Sequence, residues 1–315
     1  YEAVGGIEAV VHLLVDGLVR AGVDVTLFAS GDSLTSAELV STFETAPSAQ
    51  IGQTLPELDH VLTLLERLDE FDLVHDHTGL LGLVALGLTA TPTVHTVHGP
   101  LQGVPGRLYR SACDVAEGVG LVSLTRNQRL PYPELPWVAN VHNAIDPRLY
   151  DVDREPTEAL AFLGRMSPDK GVLTAIHAAR AAGRPLRIAA KCREEGEKEY
   201  FAEVIRPELG NGIEYLGELG HADKVELLRT SHALVFPIDW EEPFGLVMIE
   251  AMACGTPVVA TRRGSVPEVV TQGLTGVIVD SLEQLPHAIE LAGALDEDAI
   301  RTEVRERFSV DRMVA

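Results

Sequence analysis

Glu242 and Glu250 have seven residues between them, in a stretch, 239–260, that reads D-W-E-E-P-F-G-L-V-M-I-E-A-M-A-C-G-T-P-V-V-A. Pro243 and Gly245 permit a tight turn. A helix that starts just after such a turn presents free backbone N–H groups and the positive end of its dipole, a setting that suits a phosphate. Glu242 precedes that end, and Glu250 falls about one and a half turns inside the helix. A diphosphate docked there has a carboxylate on either side. A carboxylate that accepts two hydrogen bonds from vicinal hydroxyls is a natural sugar holder. The pair is therefore expected to hold two sugar rings, one on each side of a diphosphate. Two glutamates at this spacing alone are ordinary solvated acids at a helix end; the surrounding residues decide between the two readings.

The segment resembles the E-x7-E motif of retaining glycosyltransferases, family 4 in particular. The resemblance extends through F-G-L-V-M-I-E-A-M-A-C-G-T-P-V-V-A and the following G-S-V-P-E at 264–268. It implies donor contacts from Glu242, Phe244, Gly245, Leu246, Val247 and Glu250. Residues 164–171, G-R-M-S-P-D-K-G, match the family's G-R…K-G pattern. By that match Arg165 and Lys170 hold the nucleotide diphosphate. A loop at the carboxyl edge of a parallel sheet is a usual place for a ligand, and two cations there neutralise a leaving diphosphate without a metal. L-R-I-A-A-K at 186–191 and I-E-Y-L-G at 213–217 resemble strands near the nucleobase, as pocket walls or simply as core. Lys191 either reaches a phosphate or ends a strand. V-H-N-A-I-D at 141–146 resembles an interdomain N-G-[IV]-D pattern, with Ala144 where the family has glycine, which bears on any left-handed backbone there. Gly5-Gly6-Ile7-Glu8 resembles the family's G-G-I-E loop, so Gly6 would turn its N–H toward donor phosphate or acceptor. T-V-H-G at 96–99 resembles a cleft-lining segment, which implies a sugar or acceptor contact from His98. His75-Asp76-His77 points two imidazoles the same way along a strand. With no third ligand evident and no metal needed by the family, a hydrogen-bonding cluster is expected there. Trp240 either stacks on a sugar or caps a core.

These residues must be positioned by something, and the chain alternates short apolar runs with amphipathic stretches, the pattern of parallel-sheet α/β domains. Ile7, Val10, Val11, Leu14 and Leu18 share a face at helical spacing, which predicts a helix over 6–21 stopped by Gly22. Strands are expected at 23–29, 72–75, 93–97 and 120–124, with a helix at 58–68. Residues 146–157 are polar, offer little to bury and read as a linker. The alternation then restarts: strands at 159–163, 186–190, 213–216, 233–237, 256–260 and 275–279, helices at 170–182, 222–229 and 245–253, and a mostly helical tail from 282 broken near 293–298. A doubly wound domain opens on a strand; here Gly5-Gly6 opens a helix with almost nothing before it, and the chain starts with Tyr1. The expectation is an N-terminus trimmed of its first strand, and a chain that stops in mid-helix.

The composition sets bounds. The 315 residues are 46% hydrophobic and 23% charged, which describes a folded protein of about two domains. A net charge of −22 argues against nucleic acid or an anionic membrane as the main partner. Among 25 cationic residues only four are lysine, so each lysine is worth locating. Cys113, Cys192 and Cys254 are odd in number and widely spaced, which argues against a disulfide framework and for a reducing, cytoplasmic compartment. No apolar run reaches the ~18 residues of a membrane span, and no signal peptide is visible.

The resemblance covers 5–279 and implies a fold class of α/β, GT-B: two Rossmann-like, doubly wound parallel-sheet domains facing a cleft. Residues 1–147 would form the acceptor-side domain and 148–315 the nucleotide-sugar domain, with the C-terminal helix crossing back to the first. The implied reaction is transfer of a hexose from a UDP- or GDP-sugar to a hydroxyl acceptor with retention, without a metal or cofactor. Glu242 would orient the transferred sugar and Glu250 the ribose, with Arg165, Lys170 and His98 as the other catalytic groups. The acceptor is a small molecule, saccharide or lipid, read by loops such as 30–53 and 100–107 that carry no motif. Two rivals share the fold: a non-catalytic nucleotide-sugar-binding protein and a nucleotide-sugar epimerase.

Overall fold

Short runs of three to six residues, rich in β-branched and aliphatic side chains, form the strands, and glycines at positive φ end many of the intervening helices and turns. The structure is a computed structural model that describes residues 6–47, 50 and 52–315. The chain divides into two compact units, Ala3–Ala144 with Val310–Ala315, and Ile145–Ser309.

In the first unit, β1 (Thr26–Ala29) and β2 (Glu38–Ser41) form a parallel pair. β3 (Val74–Asp76), β4 (Thr93–Val97), β5 (Val119–Ser123) and β6 (Trp137–Asn140) form a four-stranded parallel sheet in that order. Leu83, Val97, Leu101 and Leu121 are almost fully buried at its centre. The Gly6–Arg20 helix starts at the first described residue, so the expectation of a missing first strand lies outside the described residues, among which the two sheets are separate. The closing helix Val310–Val314 packs against Gly6–Arg20, where Gly17 leaves room for the Val310 and Val314 side chains.

The second unit carries one six-stranded sheet: β7 (Leu160–Arg165), β8 (Leu186–Lys191), β9 (Ile213–Gly217), β10 (Leu234–Phe236), β11 (Val258–Thr261) and β12 (Gly276–Val279). Every pairing is parallel, and the spatial order is β9-β8-β7-β10-β11-β12. The chain builds outward from β7 to β9, then returns to the other side of β7 and builds outward again. This is the doubly wound order, with its switch point between β7 and β10. β10 and β11 are buried along their whole length, as strands covered on both faces must be. Leu160, Phe162, Ile188, Val235 and Val259 share one core with the helix Val172–Ala181.

Several expected elements differ in detail. The helix expected over 170–182 is split: a 3₁₀ turn, Pro168–Lys170, is followed by Gly171 at φ 78°, and the α-helix begins at Val172. Gly171 is there because a Cβ would sit 2.2 Å from the Pro237 carbonyl oxygen. The helix expected from 58 starts at Thr54, and β1 starts three residues later than expected. β2 and β6 were not legible, since each holds four residues with little alternation. The polar stretch 146–157 contains a 3₁₀ turn, Pro147–Tyr150, whose Asp146 side chain caps the Arg148 amide at 3.0 Å. It also buries Tyr150 to 5% exposure, contrary to the expectation of little to bury. Ala144 is 1% exposed and keeps φ negative; among the described residues Asn211 is the non-glycine at positive φ. None of the described helices is long and apolar enough to cross a membrane.

Candidate active site

β7 and β10 end side by side at the switch point, and the two loops that follow are tied together. The Asp239 amide donates to the Asp169 carbonyl at 2.9 Å, and Gly171 packs on Pro237. This brings Lys170, from the first loop, onto Glu242, from the second. Lys170 Nζ donates to Glu242 Oε2 at 2.5 Å. The Trp240 indole N–H donates to the same oxygen at 3.0 Å, and the Lys170 ammonium lies 4.2 Å from the Trp240 ring centroid. Both charged side chains are mostly buried, at 13% and 11% exposure. A pair withdrawn from water to this degree needs such additional hydrogen bonds.

The Glu242 backbone is fixed as firmly. Its carbonyl accepts from the Ser265 amide at 2.9 Å, and the Ser265 hydroxyl donates to the Phe244 carbonyl at 2.7 Å. Gly264, at φ 51°, lets the chain pass so close that a Cβ would lie 2.4 Å from the Glu242 nitrogen. The turn ends at Gly245 in the left-handed region, φ 79°, which caps the helix Leu246–Ala253. Gly245 has no side chain to satisfy that helix, so the first N–H groups, from Leu246 and Val247, face outward without an intrahelical acceptor. Phe244 is 2% exposed and meets Phe308 edge-on at 5.8 Å, so its ring packs inside the turn.

Glu250 sits inside that helix and is 8% exposed. Its Oε1 accepts from Tyr150 Oη at 3.0 Å and from Lys224 Nζ at 2.5 Å. Burial, with the Glu250 carboxylate beside it, pushes the Tyr150 hydroxyl well above its ordinary range, so it remains a donor. Arg165 ends β7 and is held only loosely, with Asp169 at 3.9 Å and Glu197 at 3.7 Å. Lys191 ends β8 directly opposite Arg165 in the register. Arg165, Lys170, Lys191, Glu242 and Glu250 thus all lie in the second unit, at strand ends or at one helix N-terminus.

His98 and Gly6 belong to the first unit. His98 follows β4 and shares a hydrogen bond of 3.0 Å with His77 Nδ1 through its Nε2. His75 hydrogen-bonds Thr96, and His95 lies between Asp76 at 2.6 Å and the Tyr109 hydroxyl at 3.1 Å. Burial first, then the His95 and His75 imidazoles, push His98 down to about 4, so it is neutral at pH 7. The histidines make separate hydrogen bonds, His75 to Thr96, His77 to His98, and His95 to Asp76 and Tyr109, with the His75 and His77 rings 4.2 Å apart; no group of three or more His, Cys, Asp or Glu that could hold a metal occurs among the described residues. Gly6 is exposed at the start of its helix, while Gly5 lies outside the described residues, as do 48, 49 and 51 of the expected acceptor loop 30–53.

Sequence reasoning missed Tyr150 and Lys224. Tyr150 was hidden in a polar linker. Lys224 had one available signal, since it is among only four lysines, three of which end at this site.

Comparison with known proteins shows the family and the fold. Residues 152–308 match the family "Glycosyl transferases group 1", and residues 4–146 match "Glycosyltransferase Family 4". The chain belongs to the group 1/family 4 glycosyltransferases of the GT-B fold. It is 29% identical over 276 residues to a D-inositol 3-phosphate glycosyltransferase of Corynebacterium efficiens, a match spanning 74% of this chain and 65% of that relative. It is 28% identical over 319 residues to an alpha-maltose-1-phosphate synthase of Mycolicibacterium smegmatis, spanning 88% and 81%. Among solved structures it is similar to AviGT4, a glycosyltransferase involved in avilamycin A biosynthesis, with a TM-score of 0.73 and 28% identity over 98% of this chain and 87% of that one. Sucrose-phosphate synthase from Thermosynechococcus elongatus shares the fold at a TM-score of 0.78 and 19% identity, over 98% and 91%.

Proposed function

We propose that this glycosyltransferase moves a hexose from a UDP- or GDP-sugar to a hydroxyl acceptor with retention of configuration, using no metal and no cofactor. One observation carries the reading. Glu242 and Glu250 flank the uncapped N-terminus of the helix Leu246–Ala253, and each has one carboxylate oxygen anchored by a lysine.

In this reading the diphosphate lies at the Leu246 and Val247 N–H groups, with the dipole end toward it. Arg165 and Lys170 face the charge that develops on the leaving diphosphate, and Lys191 adds a third cation from the neighbouring strand end. Glu242 orients the transferred hexose and Glu250 the ribose. The acceptor hydroxyl attacks on the face from which the phosphate departs, and a phosphate oxygen takes its proton. The protein then supplies position and charge rather than a nucleophile. His98, neutral at pH 7, serves as a hydrogen-bond partner for sugar or acceptor and not as an acid. The acceptor is a small molecule, saccharide or lipid. The protein works in the cytoplasm, with neither nucleic acid nor an anionic membrane as a main partner.

The test is a thermal-shift screen of UDP-, GDP- and ADP-sugars, followed by assay of nucleoside diphosphate release with candidate acceptors. A donor at about 100 times its Kd adds about 2.7 kcal/mol of stability and raises the melting temperature. A protein whose melting temperature moves with none of them does not bind a donor here, and the reading fails. Donor binding without acceptor-dependent release makes it a non-catalytic binder, and isomerisation of the donor alone makes it an epimerase.

A further inference from the structure

The two glutamates are held by the same device. Glu242 Oε2 receives Lys170 Nζ at 2.5 Å and the Trp240 N–H at 3.0 Å, and the lysine lies 4.2 Å from the indole centroid. Glu250 Oε1 receives Lys224 Nζ at 2.5 Å and the Tyr150 hydroxyl at 3.0 Å, and that lysine lies 5.9 Å from the phenol centroid. In each case both protein donors converge on one oxygen. The other, Glu242 Oε1 or Glu250 Oε2, takes no hydrogen bond from any described residue, and neither is sealed from solvent. A carboxylate with one oxygen tied down has its plane and direction set, and the second oxygen is presented to whatever enters.

Tyr150 and Lys224 reach Glu250 from separate elements. Tyr150 ends the turn Pro147–Tyr150 and is 5% exposed; Lys224 projects from the helix His221–Arg229. His221, on that helix, meets the Tyr150 ring edge-on at 5.1 Å and hydrogen-bonds the Leu149 carbonyl at 3.2 Å. The phenol is thus locked before any ligand arrives. There is an electrostatic reason for the arrangement. A buried carboxylate beside a diphosphate is costly unless a cation compensates it. Lys224 supplies that charge without occupying the oxygen that must read the ligand.

We infer that Tyr150 and Lys224 are positioning residues for nucleotide recognition: they hold Glu250 Oε1 so that Oε2 accepts the ribose hydroxyls, and so set the preference for a ribonucleotide donor. The inference rests on the donor-site reading above.

The experiment is calorimetric titration of the full chain with UDP and 2′-deoxy-UDP, and with GDP and 2′-deoxy-GDP. Wild type, Tyr150→Phe, Lys224→Met and Lys224→Arg are compared. Wild type should prefer the ribonucleotide by about tenfold, the worth of one hydrogen bond to a charged group. Tyr150→Phe and Lys224→Met should weaken the ribonucleotide by a similar factor and leave the deoxynucleotide nearly unchanged, so the preference collapses. Lys224→Arg should restore it. A merely structural role would weaken both nucleotides alike. Tyr150→Phe removes a single oxygen, so the test stands even if Lys224→Met, which strands a buried carboxylate, does not fold. A wild type that discriminates, with all variants keeping its preference, overturns this inference and leaves the donor site standing. A wild type that binds neither UDP nor GDP overturns both.

Discussion

Arg165 differs from the two lysines on the glutamates. Its side chain is 43% exposed, and its acidic neighbours stand at 3.7 and 3.9 Å, beyond hydrogen-bond reach. Unlike Lys170 and Lys224, it is not drawn into a close ion pair, which in the proposed mechanism leaves it free to follow charge onto a leaving diphosphate. Arg165→Ala is expected to lower kcat by about a hundredfold to a thousandfold, or about 3–4 kcal/mol, with a smaller change in KM. Steady-state kinetics check this, and unchanged turnover removes Arg165 from the mechanism. His98 gives a prediction of the opposite kind. Its folded pKa of about 4 lies below the ordinary 6.5, so between those values the unfolded chain takes a proton that the folded chain refuses. Its contribution is complete above pH 6.5 and is lost as pH falls toward 4. Melting temperature should therefore drop more steeply over that window in wild type than in His98→Gln; equal slopes would show that the imidazole is not desolvated.

At the scale of elements, the site depends on two loops passing closer than side chains allow. Gly171 and Gly183 both have positive φ, 78° and 66°. A Cβ at Gly171 would meet the Pro237 oxygen at 2.2 Å, whereas a Cβ at Gly183 would meet nothing within 4 Å. Gly183→Ala should cost about 1 kcal/mol of backbone strain, and Gly171→Ala clearly more, about 2–4 kcal/mol, with weakened donor binding. Urea titration of the two variants separates strain from clash, and equal losses would mean that the loops do not need their close approach. These glycines also show what could be read in advance. The strand, loop and helix around Lys170 were legible from hydrophobic runs, but the break at Gly171 was not, because its cause is a carbonyl 66 positions along the chain. The helix Leu246–Ala253 was legible from Pro243 and Gly245 ahead of it, since local turn chemistry decides where it starts.

For the whole molecule, charge is the property that only the full count reveals. A formal charge of −22 repels itself, and exposed pairs such as Arg262–Asp280 and Arg305–Asp151 offset little of that in water. Raising sodium chloride from about 0.05 to about 0.5 M should raise the melting temperature by screening the repulsion. A fall would mean that specific ion pairs outweigh the net charge. The acidity does not oppose an anionic ligand, because Arg165, Lys170 and Lys191 gather at one sheet edge of the second unit.

By itself the sequence determined the α/β class, the family and the restart of the alternation after 146–157, and it pointed to Arg165, Lys170, Glu242 and Glu250 as candidate site residues. Those follow from periodicity and from motifs in which neighbours along the chain remain neighbours in space. The tertiary structure alone decided that Lys170 grips Glu242, that Tyr150 and Lys224 grip Glu250 across 100 and 26 positions, and that each glutamate keeps one oxygen open. The physical reason is that β7 and β10, parallel strands whose paired residues Ala161 and Leu234 are 73 positions apart, end side by side. A hydrogen bond depends on a few tenths of an ångström between atoms, and their separation along the chain leaves no trace of it.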